Sequence, residues 1–158
     1  MVRIKKSVHL FTNSNILINN LHPTFKSPLS SKSVKSVVSL VLGGEKCKLT
    51  ELSINLVDNP TIKKINKKYL SHSYYTDIIT FPYNNNKSQI EGEIFISLDT
   101  VKKNAQIYNT GYKNELKRVI IHGCLHLAGY NDKTKQQKEL IRGKENFYIK
   151  ADSKEFVN

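Results

Sequence analysis

The chain has 158 residues, of which 25 are Lys or Arg and 13 are Asp or Glu, so its formal net charge is +12. This length suits one domain with a real hydrophobic core, and 39% hydrophobic residues exclude a chain that is disordered by composition. No apolar run approaches the roughly 20 residues that a membrane-spanning helix needs. We therefore expect a single domain over residues 1–158 and no membrane partner.

The strong positive charge predicts a polyanionic partner, with nucleic acid ahead of an acidic membrane surface. A merely soluble, lysine-rich surface is the alternative. The arginines are Arg3, Arg118 and Arg142, so most positive charges are lysines, which suit phosphate contacts better than base recognition. Two cysteines, Cys47 and Cys124, exclude a disulfide framework and favour a reducing compartment, the cytoplasm.

The first part of the chain predicts strands and helices in alternation. Residues 1–11 form a candidate first strand, and residues 12–31 show no clear period. A helix that stops at Gly43 and Gly44 is indicated by apolar residues at helical spacing, namely Val34, Val37, Val38, Val41 and Leu42. Alternating apolar and polar residues then predict a strand that contains Leu52, Ile54 and Leu56.

The middle of the chain continues this alternation. Asn59 and Pro60 predict the cap and the first residue of a helix, whose apolar face holds Ile62, Ile65 and Tyr69. Two further strands are expected over residues 76–81 and 93–98. Asp99 or Thr100 is the predicted cap of the next helix, which aligns Val101, Ala105 and Tyr108.

Residues 113–128 predict a core helix, because apolar side chains lie on nearly every side of it and Gly129 is placed to end it. Thr134 and Gln137 match a capping box for a last helix, whose stripe is Leu140, Ile141, Phe147 and Tyr148. These elements predict an α+β fold, in which a small mixed four-stranded sheet is covered by about five helices.

Two histidines place a candidate metal site at the end of the buried central helix. His122 and His126 are four residues apart, so they lie one turn apart on the same face. Because Gly129 breaks the helix, the returning chain is able to bring Asp132 to the same point. Two histidines and one carboxylate leave an open position for water, which is the layout of a catalytic zinc site. Ni, Co and Fe also suit this donor set.

Each of these residues also has a structural interpretation. A histidine pair on an apolar helix is often part of the core, and an Asn-Asp pair after a glycine is ordinary turn chemistry. Cys124 lies on the opposite side of the helix from His122, which favours a core position over a ligand role. Gly123 stands where zinc proteases of the His-Glu-x-x-His type carry their general base, so a peptidase of that type is disfavoured.

Four segments, namely residues 122–132, 76–82 and 91–97 and the pair Asn66 and Tyr69, resemble the YbeY family of bacterial endoribonucleases and rRNA maturation factors. The segment His122-Gly-Cys-Leu-His-Leu-Ala-Gly-Tyr-Asn-Asp132 resembles the family motif His-Gly-x-Leu-His-Leu-x-Gly-Tyr-Asp-His. Residues 76–82 and 91–97 resemble the family strands Thr-Asp-Val-Leu-Ser-Phe-Pro and Leu-Gly-Asp-Ile-x-Ile-Ser. Asn66 and Tyr69 match its Asn-x-x-Tyr segment, and the resemblance covers about residues 49–148.

The resemblance implies one zinc per chain, single-strand-specific RNA cleavage, and a role in maturation of the 3′ end of the small-subunit rRNA. Single-stranded RNA and the small ribosomal subunit are the implied partners. His122 and His126 carry over as ligands, and Asp132 takes the position of the family's last histidine. We expect this anionic ligand to leave bound water less acidic than a third neutral histidine would, because the site is less positive.

A second departure is Leu70, which stands where the family usually has an arginine after the tyrosine of Asn-x-x-Tyr. Lys68 or His72 is the candidate substitute for this cation, and a solvated position is the alternative for both. Glu115 or Glu93 is the candidate base or supporting carboxylate. Phosphate contacts, or else a solvated helix face, are expected from Lys63, Lys64, Lys67 and Lys68.

The predicted function is metal-assisted phosphodiester hydrolysis, in which zinc lowers the pKa of water toward about 7 or polarises a phosphoryl oxygen. Two other classes stay open. One is a non-catalytic ribosome-associated factor whose metal only braces residues 129–132. The other is a metal hydrolase of another substrate class, which the lack of a glutamate at position 123 and of a Pro-Cys-x-x-Cys motif disfavours.

Overall fold

A computed structural model describes residues 15–71 and 76–155. The elements of these ranges, in chain order, are β1 (Ile16–Asn20), α1 (Ser31–Gly44), β2 (Lys48–Val57), α2 (Asn59–Leu70), β3 (Ile78–Pro82), β4 (Gln89–Ser97), α3 (Leu98–Ile107), α4 (Tyr112–Leu127) and α5 (Lys135–Glu155). The candidate strand over residues 1–11 lies outside the described residues. Strand β1 instead forms in the stretch where the sequence shows no clear period. Within the described ranges, no helix is long and apolar enough to cross a membrane.

The four strands form one mixed sheet in the order β1-β2-β4-β3. Strand β2 runs parallel to both β1 and β4, whereas β3 runs antiparallel to β4. Five helices surround this sheet in the described part of the chain, so the predicted α+β class is confirmed. Strand β3 borders the sheet beside β4, and Pro82 ends it at an edge position where a missing N–H is tolerated.

Alternation of side chains gives the sheet two different faces. One face carries Leu52, Ile54 and Ile94 into the main core, which α1, α4 and α5 also line. The other face carries Val57 and Ile79, which pack with the partly buried side chains of Phe81 and Phe95 beneath α2. Helices α2 and α4 therefore lie on opposite faces of the sheet.

Helix α4 is the core helix that its sequence predicts, since Leu116, Ile120 and Leu125 are fully buried. Its approach to the sheet depends on Gly123. A Cβ atom at that position would lie 2.7 Å from Cδ1 of Ile78 and 3.1 Å from Cδ1 of Ile94. The position of the general base in zinc proteases therefore faces the sheet here and has no room for a side chain.

Two helix caps differ from the predicted residues. Asp58, rather than Asn59, caps α2, because its carboxylate accepts a 3.0 Å hydrogen bond from the Thr61 N–H. Ser97 caps α3 in place of Asp99 or Thr100, and its hydroxyl accepts from the Thr100 N–H at 3.2 Å. Strand β4 runs directly into α3, so the last strand residue is already at the capping position.

The capping box before α5 is confirmed, since Thr134 and Gln137 exchange hydrogen bonds of 3.1 Å between side chain and backbone in both directions. The predicted stripe of α5 is only half right. Leu140 and Phe147 are 54% and 63% exposed, whereas Ile141 and Tyr148 are buried. The buried stripe passes instead through polar positions, and its members are Ile141, Glu145, Tyr148 and Asp152. The predicted apolar faces of α2 and α3 likewise leave Tyr69 and Tyr108 exposed.

Candidate metal centre

Three candidate ligand atoms converge beside the last two turns of α4. Nε2 of His122 lies 2.9 Å from Nε2 of His126. Oδ2 of Asp132 lies 3.4 Å from the first of these nitrogens and 3.3 Å from the second. The side chains of His122, His126 and Asp132 are 23%, 21% and 42% exposed, so the cluster opens to solvent on one side.

The end of α4 brings Asp132 back to the two histidines. Gly129 has a φ of +107°, a left-handed conformation that suits glycine after a helix end. The N–H groups of Gly129 and Tyr130 each donate a 3.0 Å hydrogen bond to carbonyl groups of the last helical turn, those of His126 and Leu125. These bonds reverse the chain within residues 128–131, and Asp132 follows at once.

A buried carboxylate anchors this reversal from outside. The Tyr130 hydroxyl donates a 2.5 Å hydrogen bond to Oε1 of Glu45, the residue that caps the end of α1. The Tyr148 hydroxyl donates to Oε2 of Glu45, and the Lys144 ammonium lies 3.1 Å from that oxygen. The Glu45 side chain is buried, so these partners from α5 compensate its charge.

A second carboxylate orients the first histidine. Nδ1 of His122 lies 3.3 Å from Oε2 of the buried Glu145, whose other oxygen accepts a 3.4 Å hydrogen bond from Arg118. A histidine that ligates a metal through Nε2 commonly donates its Nδ1–H to such a carboxylate. Burial lowers the pKa of His122, but the hydrogen bond to Glu145 and the charges of Glu145, Asp132 and Asp77 outweigh it and raise the pKa overall.

This donor set fits one divalent metal ion. In a tetrahedral zinc site with bonds of about 2.0–2.1 Å, neighbouring ligand atoms lie about 3.4 Å apart. The three side chains offer two imidazole nitrogens and one carboxylate oxygen at close to that spacing, and they can hold a metal ion. Cys124 does not contribute, because it is fully buried and burial raises the pKa of its thiol to about 12.

The family model described as Endoribonuclease YbeY matches residues 17–152 of the chain. The chain belongs to the YbeY family. Relatives named Endoribonuclease YbeY include one from Chloroherpeton thalassium, 44% identical over 128 residues (81% of this chain, 90% of the relative), and one from Bacteroides fragilis, 40% identical over 124 residues (78% and 86%). The solution structure of TM1509 from Thermotoga maritima matches with a TM-score of 0.64 and 26% identity, over 90% of this chain and 91% of that one.

These matches confirm the resemblance and the expectation that the chain belongs to a family of enzymes. In this YbeY chain the two candidate carboxylates, Glu115 and Glu93, lie in different surroundings. Glu115 lies on α4, two turns before His122, in a buried position outside the ligand cluster. Glu93 lies on the sheet face away from α4, where Asn55 and Tyr83 donate hydrogen bonds of 2.9 and 2.7 Å to it.

Neither predicted cation, Lys68 or His72, is found at the ligand cluster in the described part of this YbeY chain. Lys68 is exposed on α2, on the other face of the sheet, with its ammonium 5.2 Å from the centre of the Tyr69 ring. Leu70 is part-exposed at the end of that helix. His72 lies outside the described residues. Of the two candidate cations, Lys68 therefore lies away from the ligand cluster, and the position of His72 stays a prediction.

Sequence reasoning missed three carboxylates near the site, namely Asp77 and Glu145, which interact with His122, and Glu45, which holds Tyr130. Glu145 was recognisable in principle, since it lies four residues after Ile141 and three before Tyr148, on the same buried stripe of α5. Glu45 and Asp77 leave no such local pattern. They meet Tyr130 and the surroundings of His122 only through tertiary packing.

Proposed function

We propose that this chain is a zinc-dependent endoribonuclease that cleaves single-stranded RNA and acts in maturation of the 3′ end of the small-subunit rRNA in the cytoplasm. Residues 1–158 would act as one unit, with one zinc per chain and the small ribosomal subunit as partner. The observation that carries the proposal is the convergence of His122, His126 and Asp132 within 3.4 Å in a chain of the YbeY family.

In this proposal His122, His126 and Asp132 hold the metal. A bound zinc ion supplies a Lewis acid and acidifies water, which are the two needs of phosphodiester hydrolysis. Glu145 keeps the His122 ring turned so that Nε2 points to the cluster and Nδ1 points away. The partly exposed ligands admit an extended RNA strand, and the net charge of +12 attracts it with an affinity that falls as salt rises.

The three proposed catalytic residues differ in their structural support. Glu115 has the most, because it lies on the same helix as both histidines and borders a cavity next to His122. Lys68 is exposed on α2, so its ammonium group is accessible to an RNA phosphate. His72 stays a prediction.

The proposal is tested with full-length protein purified without added metal. Bound metal is measured by mass spectrometry, and the same sample is assayed on a single-stranded RNA and on its duplex. We expect about one zinc per chain and cleavage of the single strand that a chelator abolishes. Replacement of both ligands, His122→Ala with His126→Ala, should remove the metal and the activity, whereas Gln136→Ala on the exposed start of α5 should change neither.

Each other outcome selects another function. Bound zinc without cleavage of any RNA would favour a non-catalytic ribosome-associated factor, with Leu70 and Asp132 as the disabling departures. Cleavage of a peptide or a nucleobase with RNA left intact would favour another class of metal hydrolase. Metal that stays bound to the double histidine variant would contradict the ligand assignment. Cleavage that survives in this variant without bound metal would reveal a co-purified nuclease.

A further inference from the structure

A cavity of about 440 Å³ lies beside the ligand cluster, on the Nδ1 side of His122. Its walls come from the segment before β3, the end of α3, the start of α4 and the middle of α5. Glu145 belongs both to the cavity wall and to the hydrogen-bonded surroundings of His122. A molecule in this cavity therefore lies next to the candidate metal centre without occupying it.

The charges of the cavity do not suit a phosphate group. Two of the chain's three arginines, Arg118 and Arg142, line it, but so do the carboxylates of Asp77, Glu115 and Glu145. Arg118 is already engaged, because Glu145 and Asn146 accept hydrogen bonds from its guanidinium. With three carboxylates facing two guanidinium groups, a dianionic ligand would meet repulsion as well as attraction.

Two groups of the cavity have capacity for a ligand. Arg142 is exposed and has no hydrogen bond or ion pair with another residue of the described ranges. Glu115 is only 6% exposed. Burial and the charges of Asp77 and Glu145 raise its pKa. The charge of Arg118 and a hydrogen bond with Thr110 act to lower it but do not outweigh burial. Burial raises the pKa of Asp77 as well. When burial raises the pKa of a carboxylate, a ligand that donates hydrogen bonds to it stabilises its charged form.

We propose that this cavity binds a guanine base of single-stranded RNA, a proposal that rests on the endoribonuclease function proposed above. Guanine carries adjacent N–H donors on one edge, which a carboxylate accepts, and the O6 and N7 acceptors on another, which arginine contacts in a bidentate manner. Glu115 and Arg142 provide those two complements. The exposed ring of Tyr108 at the rim offers a surface on which the base can stack.

Adenine fits the same groups less well. Its corresponding edge places an acceptor nitrogen beside one amino group, so a carboxylate gains one hydrogen bond instead of two. Binding of guanine here would place its neighbouring phosphate toward His122, because Glu145 lines the cavity and its Oε2 lies 3.3 Å from Nδ1 of His122. The cavity would thus determine which phosphodiester bond reaches the ligands.

The test measures binding by the full-length chain in the presence of chelator, so that no cleavage occurs. The probes are fluorescein-labelled uridine-rich oligoribonucleotides that differ at one position, which carries guanine, adenine or inosine. We expect guanine to bind about tenfold more tightly than adenine, which is the discrimination of a good bidentate pair. Inosine, which lacks the 2-amino group, should lie between them.

Variants assign this preference to the cavity. Arg142→Ala, at an exposed position, should reduce the preference for guanine over adenine, and Glu115→Gln should also reduce it if it folds, because each variant removes one of the two contacts. Lys138→Ala removes a charge one turn earlier on the exposed surface of α5 and should leave the ratio unchanged. Equal affinity for guanine and adenine in the unmodified chain overturns the proposal. So does an Arg142→Ala variant that loses affinity for all probes equally, since that result indicates a phosphate contact.

A parallel assay separates this proposal from the function on which it rests. Metal-loaded protein from the same preparation is incubated with the same oligonucleotides. A guanine preference in binding without any cleavage would contradict the endoribonuclease function and leave the base site standing. Cleavage at equal rates beside guanine and adenine would contradict the base site and leave the endoribonuclease function standing.

Discussion

The hydroxyl of Tyr130 donates a 2.5 Å hydrogen bond to the carboxylate of Glu45, which lies 85 positions earlier in the chain. Through this bond the end of α1 holds the loop that carries Asp132. Tyr148 and Lys144 of α5 bind the same carboxylate, so three separate parts of the chain meet at Glu45. The position of the third candidate ligand therefore depends on packing between helices as well as on the loop.

Replacement of this anchor, Glu45→Gln, should lower the free energy of unfolding by about 1–3 kcal/mol, because buried donors lose a charged acceptor. The geometry of Asp132 should loosen with it, so zinc affinity should fall too. Urea unfolding measures the first effect, and competition with a chromophoric chelator measures the second. Glu139→Gln on the exposed surface of α5 is the control and should change neither. An unchanged zinc affinity in Glu45→Gln would contradict a role for this anchor in the site.

The same residue predicts a pH dependence of stability. Burial acts to raise the pKa of Glu45, but the hydrogen bonds from Tyr130, Tyr148 and Lys144 lower it below the ordinary value of 4.5. A lowered folded-state pKa means that Glu45 stabilises the fold above about pH 4.5 and loses this effect as the pH falls through the folded-state value. The difference in unfolding free energy between the unmodified chain and Glu45→Gln should therefore shrink in acid. If this difference in unfolding free energy stays constant as the pH is lowered, ionisation of Glu45 is not its cause.

Removal of the carboxylate behind the first histidine, Glu145→Gln, should weaken zinc binding by about 10–100-fold, as loss of outer-sphere partners does in other metal sites. The amide keeps the shape of the side chain but no longer offers His122 Nδ1 a charged acceptor. Isothermal titration with zinc measures the effect, with Glu139→Gln again as the control on the same helix. Equal affinities in the two variants would show that Glu145 serves only Arg118.

The glycine that follows His122 is expected to be intolerant of the residue that zinc proteases carry there. Gly123→Glu would press a charged side chain against Ile78 and Ile94, so it should cost more than about 3 kcal/mol of stability. Gly143→Glu is the matched control, since no atom lies within 4 Å of a Cβ at that position. Thermal unfolding of both variants tests this, and a Gly123→Glu protein that unfolds at the same temperature as the Gly143→Glu control would contradict the close contact of α4 with the sheet.

Two substitutions of Asp132 separate the effect of its negative charge from its effect as a metal ligand. Asp132→His restores the residue type of the family motif, removes a negative charge and should shift the pH of half-maximal RNA cleavage downward. Asp132→Asn keeps the size but offers a weaker ligand, so it should lower zinc affinity. The measurements are a pH–rate profile and zinc stoichiometry. An unchanged profile in a zinc-bound Asp132→His protein would show that residue 132 does not contact the metal.

Local spacing alone predicted a large part of this molecule. The core helix, the strand at Ile54, the Thr134–Gln137 box and the pair His122–His126 all follow from residues within one or two turns of each other. Interactions at that range leave a periodic pattern, because the backbone geometry that creates them is the same in every protein. The caps of α2 and α3 were displaced by one to three positions, since Asp58, Asn59, Ser97 and Thr100 are all suitable residues and only the path of the chain selects between them.

Tertiary structure alone decided what surrounds the candidate ligands. Glu145 lies 23 positions from His122, and Glu45 lies 85 from Tyr130, so neither contact leaves a pattern in the sequence. The apolar stripe predicted for α5 was only half right, because Glu145 and Asp152 occupy interior positions that hydrophobic periodicity assigns to apolar residues. The sequence by itself determined which residues can bind a metal. Packing of α4 against α1, α5 and the sheet determined how they are held, and it created the cavity beside them.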